Sequence, residues 1–91
     1  MNGKDEDFYK LLEHLRRKVE ISLSQAGFCW IKAKRIYEIM KCNGLSKGNR
    51  HRDLSYAGFV LQHLLDIYKK REDVKVIRWS RKSYLIRKVE K

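Results

Sequence analysis

The side chains of this chain that are best suited to chemistry are basic, and they concentrate towards its C-terminal end. Residues Val74–Lys88 read VKVIRWSRKSYLIRK, in which β-branched and aromatic residues surround a polar turn at residues 80–83. This composition is typical of two short strands joined by a tight turn. Arg81 and Lys82 then lie at the tip of a hairpin, with Arg78 close behind them. Such a tip is suited to contact phosphates, although charges on edge strands can also serve only to prevent aggregation.

The charge of the chain is large and unevenly distributed. It has 22 Lys and Arg against 11 Asp and Glu, a formal net charge of +11. Residues 1–31 hold five basic and five acidic side chains, so the whole excess lies in residues 32–91. A surplus confined to one part of the chain indicates a polyanionic partner. The alternative is a solvated Lys-rich surface that promotes solubility, as in a thermophilic archaeal or viral protein.

The length and composition predict one small domain over residues 1–91. A chain of 91 residues with 43% hydrophobic residues has enough apolar side chains for one core. No segment approaches the ~20 apolar residues that are needed to span a bilayer. The N-terminus is charged and lacks the apolar region of a signal peptide. These features predict an intracellular protein of the cytoplasm or nucleoid, with no membrane association.

Residues for catalysis or metal binding are scattered. Cys29 and Cys42 match no zinc-binding spacing. We expect both to be small buried apolar residues, and the alternative is a disulfide between them. His14, His51 and His63 fall on different predicted elements without paired carboxylates. We therefore expect no catalytic residues, no metal, no cofactor and no enzymatic activity.

Three helices follow from the spacing of apolar residues. The first runs from Asp5 to about Ser24 and the second from Ala33 to about Cys42, each ending before a glycine. The third begins between Ser46 and Asp53, because Ser46 and Asn49 can both act as N-caps. The apolar stripe of the first helix comprises Phe8, Leu11, Leu12, Leu15, Val19 and Leu23, that of the second Ile36, Ile39 and Met40, and that of the third Leu54, Ala57, Leu61, Leu64, Leu65 and Tyr68.

Three strands complete the predicted order. Residues 28–32, FCWIK, favour a short strand after Gly27, and residues 74–88 form the hairpin. In the hairpin, Val74 and Val76 lie on one face, whereas Ile77 and Trp79 lie on the other. Either a bulge changes the alternation or Trp79 covers the outer side of the sheet. The register of the hairpin stays open at this stage.

The order helix, strand, helix, helix, strand, strand resembles the winged helix-turn-helix DNA-binding family over nearly the whole chain. The resemblance lies in architecture and residue placement, and it implies an α+β fold of three helices with a small antiparallel sheet. In that family the short strand pairs with the hairpin, the third helix enters the major groove and the hairpin forms the wing. The resemblance therefore implies a duplex DNA-binding protein, a small transcriptional regulator, with a basic wing on the DNA backbone or in the minor groove.

The candidate contact residues follow from this arrangement. Arg can bind guanine, Asn and Gln can bind adenine, and an aromatic ring can pack on thymine methyl groups. Most contacts of basic side chains go to phosphates. Tyr56 and Phe59 have the alternative of packing on the second helix or on a dimer partner. The predicted DNA-binding residues are Lys34, Arg35, Lys47, Asn49, Arg50, Arg52, Ser55, Tyr56, Phe59, Arg78, Arg81 and Lys82.

Three further partner hypotheses remain open. The first helix could form a homodimer, which would imply a pseudo-palindromic DNA site. A second hypothesis is a winged-helix docking module of a replication or transcription complex, in which Tyr56, Phe59 and Trp79 form the contact patch. The third is RNA binding through the same basic face. The residues offered for the dimer are Phe8, Leu12, Leu15 and Val19.

Overall fold

The computed structural model describes residues 3–89, with side chains for residues 6–89, as a small α+β fold. Its elements are α1 (Gly3–Ala26), β1 (Phe28–Lys32), α2 (Ala33–Cys42), α3 (Arg50–Lys69), β2 (Val74–Ser80) and β3 (Ser83–Lys88). The predicted element order is confirmed, and the predicted ranges of β1 and α2 match those observed. The first helix extends about two residues further at each end than the predicted range of Asp5 to about Ser24.

The central element of the core is α3, which contacts α1, α2 and β2. Its buried face is wider than the predicted stripe. Val60 is fully buried although the prediction omitted it, because it lies three residues after Ala57 and four before Leu64. Leu54 is only half buried, since it lies at the edge of this face. The apolar side chains buried along α3 are Ala57, Val60, Leu61, Leu64, Leu65 and Tyr68.

The apolar stripe of α1 belongs to the same core. Leu11, Leu15, Val19 and Leu23 are each at most 2% exposed, while Phe8 and Leu12 are partly buried against the core. Leu15 and Val19 were expected to form part of a dimer surface, and this assignment is wrong because their side chains are enclosed by the protein's own core.

A polar network fastens the end of α3 to α1. The hydroxyl of Tyr68 donates to Glu20 Oε1 at 3.1 Å, and Arg71 forms an ion pair with the same carboxylate. Arg71 also pairs with Asp73 at 2.6 Å, immediately before β2. Burial raises the pKa of Tyr68 well above its usual range, and Glu20 adds to this shift. Sequence periodicity gave no sign of this network, because Glu20 and Arg71 lie 51 residues apart.

The sheet has the strand order β1-β3-β2, and both pairings are antiparallel. Its inner face packs against the helices through buried Ile31, Val74 and Ile86. The register changes between Arg78 and Ser80, and Trp79 is 69% exposed with its ring against Trp30 on the outer face. The alternative that Trp79 covers the outer side of the sheet is therefore confirmed. The bulge comes after Ile77, which pairs with Leu85, so it does not move Ile77 to the inner face.

The two cysteines are free. Cys29 is half buried on the inner face of β1, and burial raises the pKa of its thiol. Cys42 is exposed at the end of α2, so the expectation that both cysteines are buried is wrong, and the alternative of a disulfide is also wrong. Within residues 3–89, no helix combines the length and the hydropathy that a membrane crossing requires.

Two glycine substitutions test the backbone conformation. A Cβ added at Gly58, inside α3, would meet no atom within 4 Å. We expect Gly58→Ala to raise the free energy of unfolding by about 0.5–1 kcal/mol, because alanine loses less conformational entropy in a helix. Gly48 has equally open surroundings but a φ of +82°, a conformation that alanine rarely adopts. Gly48→Ala should therefore lower the free energy of unfolding by about 1 kcal/mol. Urea unfolding of both variants measures the contrast, and equal shifts would contradict it.

Candidate nucleic-acid interface

The connection between α2 and α3, residues 43–49, begins with a tight helix end. The Asn43 side-chain amide donates to the Ile39 carbonyl at 2.8 Å, and the Leu45 N–H donates to the Met40 carbonyl at 2.9 Å. Gly44 has a φ of +71°, which lets the chain turn away from the helix axis. The predicted stop at Asn43-Gly44 is confirmed.

A buried carboxylate holds the rest of this connection. Asp53 is 2% exposed, and its Oδ2 accepts from the Ser46 hydroxyl at 2.6 Å. Its Oδ1 accepts from the Lys47 N–H at 3.0 Å. The Ser46 hydroxyl lowers the pKa of Asp53 most, followed by the Lys47 N–H. These bonds fix the backbone on which Lys47 points outward.

The N-terminus of α3 is capped by Asn49. Its side-chain oxygen accepts from the Arg52 N–H at 3.1 Å, so Asn49 rather than Ser46 is the N-cap. A bidentate contact with adenine needs that same oxygen as an acceptor. The cap therefore gives Asn49 a structural task that does not favour its predicted role in reading a base.

Three exposed basic residues surround this cap, and we refer to Lys47, Arg50 and Arg52 as the corner cluster. None of the three forms an ion pair with a carboxylate of residues 6–89. Their charges are consequently available to a ligand. The positive end of the α3 dipole adds to the potential at this corner.

A second set of basic residues lies at the opposite end of α2. The Ala33 N–H donates to the Lys82 carbonyl at 3.1 Å, which joins the hairpin turn to the first turn of α2. We refer to Lys34, Arg35, Arg81 and Lys82 as the tip cluster; all four are exposed. Arg35 forms an exposed ion pair with Glu38 at 3.6 Å, a contact worth little in solvent.

Arg78 lies on the helix-facing side of the hairpin. It stands opposite Tyr84 in the register, and its Nε donates to the Ser80 carbonyl at 3.4 Å. The side chain is exposed and remains close to the tip cluster in sequence. The grouping of Arg78 with Arg81 and Lys82 stays a prediction.

The remaining candidates on α3 have different surroundings. Ser55 is exposed, whereas Tyr56 is half buried and packs against the core, so its prediction as an outward residue is wrong. Phe59 is 54% exposed, with its ring 5.7 Å from that of Phe8 and 4.6 Å from that of His63. The ring of Phe59 thus packs between Phe8 of α1 and His63 of its own helix.

The two basic clusters are separated by the length of α2. Ten residues at about 1.5 Å rise give roughly 15 Å between its ends. The side of α3 that is turned away from the core carries the exposed residues His51, Ser55 and Gln62, with the partly buried Gly58 at the same helical spacing. The arrangement can place positive charge on two separate stretches of a polyanion.

The hydrogen bonds that hold the connection between α2 and α3 were not predicted from the sequence. Asp53 was considered only as a possible helix start, and Ser46 only as an N-cap. The available signal was a serine seven residues before an aspartate in the first turn of a helix, a spacing that does not by itself reveal a contact. The residues that the structure describes include no group of three or more His, Cys, Asp or Glu side chains able to hold a metal ion.

Comparison of the chain with protein-family models, with curated proteins and with solved structures returns no match.

The hydrogen bonds of Asp53 predict that the stability of the fold depends on pH. Because hydrogen bonds depress the pKa of folded Asp53, the unfolded state binds more protons in acid. The contribution of Asp53 to the free energy of unfolding is therefore fully present above the pKa of aspartate in the unfolded chain, about 3.9. It is lost as the pH falls through the lower pKa of Asp53 in the folded protein. We expect Asp53→Asn to be less stable than the wild type at neutral pH, with the difference closing in acid.

Thermal unfolding across a pH series measures this difference, with Asp66→Asn as a control on the exposed side of the same helix. The control should stay close to the wild type throughout, as is usual for a surface substitution. A deficit of Asp53→Asn that is equal at about pH 7 and about pH 3 would contradict the role of the carboxylate.

Proposed function

We propose that the protein binds duplex DNA as a winged helix-turn-helix domain and acts as a small transcriptional regulator. The observation that carries the proposal is the placement of the corner cluster and the tip cluster beyond opposite ends of α2, with two corner residues in the first turn of α3. The strand order β1-β3-β2 supports it, because the family resemblance implies a short strand that pairs with the hairpin.

In the proposed complex, α3 lies in the major groove. The groove is about 12 Å wide and admits one helix. The exposed Ser55 and Gln62 and the half-buried Gly58 between them offer little bulk, which permits close approach of the helix to base edges. Arg52 lies in the first turn of α3, the part of such a helix that contacts bases.

The basic clusters position the helix. Lys47 and Arg50 would contact phosphates at one side of the groove, and Lys34 and Arg35 those at the other. Arg81 and Lys82 would follow the adjacent backbone or enter the minor groove, with Arg78 behind them. The roughly 15 Å length of α2, which lies between the two clusters in the chain, is of the same order as the about 12 Å width of the major groove.

Of the two alternatives, only the docking module is weakened by the observed geometry. A docking module was expected to use Tyr56, Phe59 and Trp79 as one patch, but Tyr56 packs against the core and Trp79 lies on the outer face of the sheet. RNA binding through the basic clusters uses the same charges, so it is distinguished by measurement. Duplex DNA, duplex RNA and unrelated duplex competitor compared over a salt series make that distinction.

Loss of the hairpin charges should weaken duplex binding without changing sequence preference. We expect Arg81→Ala combined with Lys82→Ala to reduce the slope of log K against log salt concentration by about 1.8, since each phosphate contact contributes about 0.9. Fluorescence anisotropy at several salt concentrations measures the slope. The matched control is Lys10→Ala with Lys18→Ala, which removes two exposed charges from α1. If both double variants changed the slope equally, the hairpin would contribute only through the net charge of the protein and not through contacts of its own.

Base reading is assigned to α3 and is tested separately. We expect Arg52→Ala to relax the preference at one base pair by about 1–3 kcal/mol, because a bidentate contact with guanine is lost. Selection from a random duplex pool, with wild type and variant in parallel, measures the preference. Lys34→Ala is the control and should weaken all sequences alike. Identical selected motifs for wild type and Arg52→Ala would remove this residue from base reading.

A further inference from the structure

The outer face of the sheet, which points away from the helices, carries a row of apolar residues of which Phe28, Trp30 and Trp79 are exposed and Ile77 and Leu85 are half buried. Trp30 pairs with Leu85, and Leu85 pairs with Ile77 across the three strands. Trp79, in the bulge, packs its ring edge-on against Trp30 with centroids 5.1 Å apart. Phe28 extends the apolar surface along β1 and is 44% exposed.

The two tryptophans are unusually accessible for residues of this size. Trp30 is 50% and Trp79 69% exposed, although large aromatic side chains usually bury most of their area. The T-shaped contact holds the two rings at an interplanar angle of 83°. Aromatic faces therefore remain open to a planar ligand on a rigid sheet.

Basic residues border this apolar row on both sides. Arg87 and Lys75 lie beside Phe28 in the same cross-strand row, and Lys32 lies at the other end of β1 beyond Trp30. All three are exposed. The three strands contain no Asp or Glu at all. Positive charge around exposed aromatic rings is the composition that binds single strands, in which bases stack and phosphates pair with Lys and Arg.

The same charges disfavour a second copy of the chain as the occupant. Two outer faces packed on each other would bring Lys32, Lys75 and Arg87 against residues of the same sign, with no carboxylate on the strands to compensate. A polyanion with planar bases satisfies both the charge and the apolar surface.

The site lies on a different side of the molecule from the exposed face of α3, although Trp79 and Lys32 adjoin the tip cluster in sequence. The helices pack on the inner face of the sheet, and α3 contacts β2 from that side. The exposed face of α3 and the outer face of the sheet therefore lie on different sides of the molecule. Each can be tested without the other.

We propose that the outer face of the sheet binds single-stranded nucleic acid, with bases stacked on Trp30 and Trp79 and phosphates contacted by Lys32, Lys75 and Arg87.

Trp30 and Trp79 are the two tryptophans of the chain, so tryptophan fluorescence reports on this face. The probes are a 12-nucleotide oligothymidine, the matching oligouridine and an abasic strand of equal length and charge. We expect the base-containing strands to quench the emission and to bind at least fivefold more tightly than the abasic strand, because stacking contributes at least about 1 kcal/mol. The two base-containing probes distinguish DNA from RNA. Equal binding of the abasic strand without quenching would overturn the proposal.

Substitution of Trp79 separates stacking from apolar burial. Trp79→Leu keeps an apolar side chain but removes the ring, and it should weaken oligothymidine binding at least fivefold. Trp79→Phe should remain within about twofold of the wild type, because it retains an aromatic face. The control is Tyr9→Ala, which removes an aromatic side chain that is 63% exposed on α1 and should change nothing.

Two outcomes would overturn the assignment at this stage. One is equal affinity of the Leu and Phe variants for the oligonucleotide. The other is self-association of the wild type in sedimentation that Trp79→Leu abolishes while single-strand binding is unchanged, which would make the face a protein contact. The duplex affinity of the same variants is measured in parallel, so that failure of duplex binding and failure of single-strand binding are seen separately.

Discussion

The burial of α3 is the constraint on which the rest of this structure depends. Its apolar face is enclosed by α1, α2 and the sheet, and Val60, Leu64 and Leu65 are 0% exposed. Burial of side chains of this kind contributes roughly 1.5–3 kcal/mol each, so rotation of α3 would be costly. Because this face is fixed inward, the side chains of Ser55 and Gln62 point outward. The surface that we propose for the major groove is thus a consequence of core packing.

The connection before α3 holds the basic residues of the corner cluster in fixed positions relative to this buried helix. Asp53 is buried and accepts bonds from Ser46 and Lys47, while Asn49 caps the helix. The structural carboxylate and the cap thereby hold the loop, and Arg52 is left exposed. Positioning residues and candidate contact residues alternate along this short segment. Substitution of a positioning residue is therefore expected to disturb binding without touching a ligand.

The sheet presents a different chemistry on each face. Inner residues such as Ile31 and Ile86 complete the core, whereas Trp30 and Trp79 stay exposed outside. Strand alternation produces this difference, because successive side chains point to opposite faces: Val74 and Val76 lie inside, and Ile77 and Trp79 outside. One small sheet can thus support the proposed wing at its tip and a separate stacking surface on its outer side.

The element order, the ranges of β1 and α2 and the hairpin turn at Arg81 and Lys82 were all determined by local signals: apolar periodicity, glycine after helices and β-branched strands. Contacts between distant residues were not, because periodicity carries no information about them. Only the tertiary structure decided that Tyr56 packs inward and that Trp79 meets Trp30. The sequence by itself determined which elements form and how much charge they carry; their packing decided which side chains share a surface.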